Sequence, residues 1–259
     1  AGNAYSNISI KKIFYLKKRP AFNPLIIHYE SLNVLQKDAI FNNDFIKLYK
    51  NLCPGPITFI LKKKINSKIS KIASAGKKTV AVRIPKHKVV KKLLKLLDCP
   101  LAAPSANISS KLSPTCAEDV VDEFGNKIKF ILDGGDCKIG LESTIIDLTH
   151  KPTILRQGFV TKEKIQKILK KKILVKNKSK THKAPGQLQL HYSPGIPVKM
   201  NINYLEKNQA LIVFGRNFKK RKNYFNLSKN GSLKEAANNL YKTMRIIKKR
   251  NYKSIGVVK

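Results

Sequence analysis

No stretch of this 259-residue chain approaches the roughly 20 consecutive apolar residues of a membrane span, and apolar runs such as Thr58 to Leu61 are short. The opening Ala1-Gly2-Asn3-Ala4-Tyr5 is neither a secretory signal nor an Arg-rich transit peptide, and it lacks an initiator Met. Four scattered cysteines, Cys53, Cys99, Cys116 and Cys137, form no C-x-x-C pair. A zinc site or disulfide framework is therefore disfavoured, small buried thiols are expected, and a cytoplasmic, membrane-free location fits. Acid is scarce, with 15 Asp and Glu against 53 Lys and Arg, a net charge of +38. Paired carboxylates, a nucleophile beside a base, and clustered metal ligands are all missing, so covalent or protein-held metal chemistry is not indicated.

The charge has two readings. A polyanionic partner, nucleic acid or a phosphorylated substrate, would select for it. Only 7 of the cations are Arg and 46 are Lys, alongside 29 Ile and 21 Asn. Those are residues of A/T-rich codons, so drift in base composition also accounts for it. Apolar residues make up 42% of the chain, enough for a core, and the length suits one large domain or two smaller ones.

Ser6 or Asn7 reads as an N-cap for a helix with Ile10, Ile13, Phe14 and Lys17 at helical spacing, stopped by Pro20. A helix is predicted over 38–52, another over 89–97, a third over 115–124 with Ser113 as a possible cap, and others over 162–171 and 233–247. Strands are predicted at 25–29, 58–61, 79–84, 130–135, 143–148, 153–156, 210–214 and 254–258. Alternating strands and helices with tight strand–turn–strand links predict an α/β layered domain on a mixed sheet. The polar run 176–183 reads as a linker. The expected organisation is a domain over 1–175, a linker or lid over 176–198, and a small, incomplete α/β domain over 199–259.

Cations and hydroxyls gather at predicted strand ends and turns: Lys17 and Arg19 before Pro20, then Asn23 and His28, Thr79 and Arg83 on one strand face, Ser105 and Asn107 in one turn, and Ser113, Ser143, Arg156 and Tyr192. Brought together, such groups make an anion cradle suited to a nucleoside triphosphate and a small carboxylate. Catalysis there would be positioning and charge stabilisation. Taken singly, each residue also has a structural reading. Asp133, Glu142 and Asp147 read first as structural acids.

The ordered set resembles a known family. Lys17-Lys18-Arg19-Pro20-x-x-Asn23-Pro24-Leu25-Ile26-Ile27-His28, Pro54-Gly55-Pro56-Ile57-Thr58, Thr79-Val80-Ala81-Val82-Arg83-Ile84-Pro85 and Ala103-Pro104-Ser105-Ala106-Asn107 with Ser113-Pro114-Thr115 are similar to blocks of the YrdC-like threonylcarbamoyl-AMP synthase family. Asp133-Gly134-Gly135, Glu142-Ser143-Thr144, Leu155-Arg156-x-Gly158 and His191-Tyr192-x-Pro194 follow in family order, the last like the linker of the long, two-domain members. Lys18 stands where the family usually has Gly, and Gln157 where it usually has Pro. The family's P-T-E-T-V-Y-G-L stretch would lie upstream of Ala1, and the second domain would continue past Lys259.

The resemblance implies a three-layer, twisted mixed sheet with a concave basic cavity, plus a small Rossmann-like domain. It implies ATP-dependent synthesis of L-threonylcarbamoyl-AMP from L-threonine and bicarbonate or CO2, with release of pyrophosphate. A tRNA-modifying partner would then use the product on tRNA. Carried over residue by residue, His28, Arg83, Ala103 and Ser143 would line the threonine side. Arg19, Asn23, Thr79, Ser105, Ser113, Arg156 and Tyr192 would contact ATP, and Lys17, Arg19, Ser105 and Asn107 match the family's basic–hydroxyl tetrad and would be the catalytic set. Tyr192 would lie over the nucleotide, and Mg2+ would be held through the ATP phosphates. A double-stranded-RNA or tRNA-binding module without catalysis, or an inactive relative, is the alternative.

Overall fold

The computed structural model describes residues 1–176, 185, 192–202, 204, 206–219 and 221–258. Along the chain the elements are β1 (Gly2–Asn3), α1 (Asn7–Lys17), β2 (Ile26–His28), α2 (Leu32–Leu35), β3 (Ala39–Ile40), α3 (Asn43–Leu52), β4 (Ile57–Lys63), β5 (Thr79–Arg83), α4 (Lys88–Lys95), β6 (Leu101–Ala102), α5 (Ala117–Phe124), β7 (Thr144–Asp147), β8 (Thr153–Arg156), α6 (Lys162–Leu169), β9 (Leu174–Val175), β10 (Val198–Met200), β11 (Gln209–Val213), β12 (Tyr224–Asn226), α7 (Leu233–Lys249) and β13 (Ser254–Val257). They divide between two compact units, 1–109 with 142–189, and 110–141 with 190–259. The second unit thus takes in a segment that lies inside the 1–175 domain drawn from the sequence. The linker at 176–183 and His191 fall almost wholly outside the described residues.

The first unit is built on one mixed sheet, in the order β1-β6-β2-β5-β4-β7-β8-β9, with β3 on β4. β2 runs parallel to β5 and β4 parallel to β7, while β4–β5, β7–β8 and β2–β6 are antiparallel. The expected mixed sheet is thereby borne out. One face of it supplies the main core: Ile27, Phe59, Val80, Val82, Ile146 and Ile154 pack with Ile10, Phe45, Leu48 and Ile165 from the helices. The periodicity that marked α1 in the sequence is the reason it docks, since Ile10, Ile13, Phe14 and Lys17 are its buried residues. Ser6 caps it by accepting from the Ser9 N–H.

Helix α3 begins at 43, not 38. Asn42 is its cap, accepting from the Phe45 N–H at 2.9 Å, and Ala39–Ile40 instead pairs with Lys62 and Lys63. Asp38 cannot start a helix because its carboxylate is committed elsewhere. It accepts from the hydroxyls of Tyr5 (3.0 Å), Tyr29 (3.1 Å) and Ser67 (2.7 Å).

In the second unit β10, β13, β11 and β12 form a parallel sheet. α7 packs Tyr241, Met244 and Ile247 on Ala210, Ile212 and Ile255. β12 was not foreseen. The predicted strand at 130–135 does not form; Phe130 is 91% exposed in an irregular segment. A short apolar run needs a partner strand to become a strand, and none pairs with it among the described residues. Asp133 is the turn residue expected, accepting from the Gly135 N–H at 2.8 Å. Nor does Ser113 cap the next helix: the N-cap of α5 is Cys116.

Candidate active site

The other face of the first sheet carries a small cluster, Ile26, Ala81, Ile60, Ile145 and Leu155, one residue from each of five strands. Side chains alternate along a strand, so the residue two places from each of these faces the same way. That rule places His28 beside Ile26, Arg83 and Thr79 either side of Ala81, and Thr58 before Ile60. Arg156 breaks the rule. The β7–β8 register shifts, Ile146 pairing with Ile154 but Ile145 with Arg156, so Leu155 is an extra residue in a bulge. Bulges re-aim side chains, and here the guanidinium reaches Ser143: Nε donates to its carbonyl and Nη2 to its Oγ, both at 3.0 Å. Nη1 donates to Glu142 Oε2 at 2.8 Å.

Ser143 Oγ also shares a hydrogen bond of 2.8 Å with Thr58 Oγ1. Parallel pairing of β4 with β7 sets Thr58 opposite Ile145 and makes that contact possible. Two glycines allow close backbone approach, one beside β7 and one at the end of α3. A Cβ on Gly158 would meet the Glu142 carbonyl at 2.3 Å and the Thr144 nitrogen at 2.6 Å. A Cβ on Gly55 would meet the Leu52 carbonyl at 2.1 Å. The Gly55 carbonyl accepts from Arg83 Nε at 3.2 Å.

The end of α1 supplies the next cations. Lys18 turns the chain with a left-handed φ of 49°, its N–H bonding back to Phe14 and Tyr15. This explains the family preference for Gly there, since a side chain in that region costs about 1–2 kcal/mol. Lys17, buried, donates its Nζ to the carbonyls of Ser105 (2.6 Å) and Asn107. It thereby ties the 105–107 turn to the helix end. Arg19 donates to the Asn23 carbonyl (2.9 Å), Asn23 Oδ1 (2.7 Å) and the Pro24 carbonyl (2.7 Å). Ala103 leaves β6 with its N–H on the Ile26 carbonyl at 3.1 Å, which sets the turn beside β2.

Arg19 and Arg83 each sense Arg156 and Glu142 here. Burial pulls Arg19 down to about 10; the Glu142 charge opposes that and Arg156 adds to it. Arg83 is lowered by burial first, with the same two neighbours acting in the same opposed directions. Burial, then the Arg83 charge, lowers His28 to about 3, so its imidazole is neutral at ordinary pH. The register explains the pair, because His28 lies directly opposite Arg83. Three arginines thus lie near the Glu142 carboxylate, and the surplus of positive charge is what a doubly anionic reactant pair would neutralise.

Not every expected residue joins them. Thr79 shares the face of Arg83 but lies at the other end of β5, about 13 Å away at 3.3 Å per residue. Ser113 and Tyr192 belong to the second unit. Thr58 and Glu142 both stood in motif blocks, Glu142 also as a structural acid, and neither was named as a site residue, yet both touch the network. Their role depends on strand register, which no local spacing carries.

Residues 1–158 match the Sua5/YciO/YrdC family model, described as telomere recombination, and residues 160–259 match the model for the threonylcarbamoyl-AMP synthase C-terminal domain. A threonylcarbamoyl-AMP synthase of Pyrococcus abyssi is 44% identical over 204 residues, covering 76% of this chain and 59% of that protein. One of Bacillus subtilis is 36% identical over 215 residues, covering 81% and 62%. The chain thus spans about three fifths of the length of these curated relatives. The crystal structure of P. abyssi Sua5 complexed with L-threonine superposes with a TM-score of 0.90 at 35% identity, over 99% of this chain and 80% of that one. The motif residues on the sheet face opposite the main core and these likenesses agree, and the chain belongs to the Sua5/YciO/YrdC family.

Proposed function

We propose that the protein makes L-threonylcarbamoyl-AMP from L-threonine, bicarbonate or CO2, and ATP, releasing pyrophosphate. The observation that carries this is the gathering of Arg19, Arg83 and Arg156 near Glu142, with Arg156 on Ser143 and Lys17 holding the 105–107 turn, in a chain whose relatives bear that enzyme's name. The threonine nitrogen adds to CO2 and loses a proton, forming a carbamate. A carbamate oxygen then attacks the α-phosphorus of ATP, and the α–β bridging oxygen leaves with pyrophosphate. Both reactants are anions, so the obstacle is repulsion, and fixed cations lower it.

Arg83 would hold the threonine carboxylate, with the neutral His28, Ala103 and the Ser143 hydroxyl around the rest of the amino acid. Arg19, Asn23, Thr79, Ser105, Ser113, Arg156 and Tyr192 would meet the nucleotide, and Lys17 and Asn107 would hold the 105–107 turn in shape. Among the described residues, no three His, Cys, Asp or Glu side chains gather as metal ligands. Mg2+ would enter on the triphosphate, and no step is assigned to it. Among the described residues no helix is long and apolar enough to cross a membrane. A cytoplasmic site of action, with the product passed to a tRNA-modifying enzyme, fits this reading.

The test is pyrophosphate release by the full-length protein with threonine, bicarbonate, ATP and Mg2+. Threonine-dependent release above the ATP-only background is expected, and Arg83→Ala should abolish it while ATP still binds. An RNA-binding module would instead keep RNA affinity in Arg83→Ala, lose it steeply with salt, and release no pyrophosphate.

A further inference from the structure

The reading above takes two nucleotide contacts, Ser113 and Tyr192, from the second unit, and the inference here rests on it. Within that unit both lie against one helix. On α7, Tyr241 and Arg245 are one turn apart and so share a face. Arg245, largely buried, donates from Nη2 to the Leu112 carbonyl at 2.6 Å and from Nε to the Ser113 carbonyl at 3.2 Å. Its Nε also lies 3.5 Å from Asp119 Oδ2, the same oxygen that accepts from the Thr115 N–H at 2.8 Å and the Thr115 hydroxyl at 3.0 Å. The 112–115 backbone is therefore gripped from both sides of Ser113.

Tyr192 is held by the same helix. Its ring stacks on Tyr241, centroids 5.5 Å apart and planes 23° from parallel. Its φ of 58° is left-handed, a conformation that a non-glycine residue keeps only when its surroundings impose it. The surroundings are the Tyr241 ring and a backbone tie, in which the Ser193 N–H donates to the Ser110 carbonyl at 2.9 Å and Lys111 bridges Ser193. A serine and a tyrosine distant in sequence thus sit in one frame.

We propose that Arg245 and Tyr241 are positioning residues for nucleotide binding, fixing Ser113 and Tyr192 relative to one another so that a hydroxyl and an aromatic ring meet the same nucleotide. Neither touches the reactants; each acts through a neighbour. A planar guanidinium suits the task because one rigid fork serves two carbonyls and a carboxylate, which a lysine ammonium does less well.

The experiment is calorimetric titration of the full-length protein with α,β-methylene-ATP and, separately, with L-threonine. Arg245→Ala should weaken the analogue about tenfold and leave threonine within about twofold, since the lost hydrogen bonds touch only the nucleotide side. Arg245→Lys, which keeps the charge near Asp119, should fall between wild type and Ala. Tyr241→Leu, which keeps apolar bulk but removes the stack, should weaken the analogue alone. Analogue affinity unchanged in Arg245→Ala, or both ligands weakened in parallel as general unfolding would do, overturns the proposal. Should Arg245→Ala fail to fold, Arg245→Lys and Tyr241→Leu decide by the same criterion. A wild type that binds the analogue in an Arg245-dependent way but releases no threonine-dependent pyrophosphate overturns the proposed reaction and sustains this inference. Turnover with analogue binding indifferent to Arg245 does the reverse, and a wild type that binds no analogue overturns both.

Discussion

Arg156 donates to both oxygens of Ser143, its backbone carbonyl and its hydroxyl, at 3.0 Å each. The guanidinium proposed to meet the nucleotide is thereby joined to the hydroxyl proposed to line the threonine side, with no side chain between them. The pair is buried, and Thr58 completes a chain of three polar groups on the sheet face.

Thr58→Val keeps the shape of the Thr58 side chain and removes its hydroxyl. Ser143 Oγ then loses one partner and, among the described residues, is held by Arg156 alone. The expected loss is about 1 kcal/mol of stability, read from urea unfolding, with a several-fold rise in the threonine KM. Thr58→Ser should restore both.

Gly158→Ala drives a methyl group into the backbone of 142–144, where the nearest atoms are a carbonyl oxygen at 2.3 Å and an amide nitrogen at 2.6 Å. Backbone cannot rotate aside as a flexible side chain does. The substitution should destabilise by about 1–3 kcal/mol or more and displace Arg156 with β8. Urea midpoints and the crystal structure of the variant check this.

His28 gives a pH dependence with a definite sign. Its folded pKa, about 3, lies below the ordinary 6.5, so between those values the unfolded chain binds a proton that the folded chain refuses. Stability from this residue is present above 6.5 and is lost as pH falls toward 3. Urea midpoints measured downward from about pH 7.5 should drop less steeply in His28→Gln than in wild type.

Helix α1, strands β2, β4 and β5 and the motif residues along them were legible in the sequence because each signal is local. A cap, a proline, a 3.6-residue period and a run of β-branched residues act within one element. Other features were not. The start of α3 moved to 43 because Asp38 is claimed by Tyr5, Tyr29 and Ser67, partners from elsewhere in the chain. The apolar run at 130–132 stayed exposed because no strand paired with it among the described residues.

By itself the sequence determined the family, the mixed α/β class and the cations and hydroxyls offered to the site, since these follow from ordered motifs and local periodicity. Only the tertiary structure decided that Thr58 meets Ser143, that a bulge turns Arg156 toward them, and that Ser113 and Tyr192 belong to the unit of α7. The physical reason is register: one step along a strand moves a side chain to the opposite face, and that step is set by pairing with a distant segment.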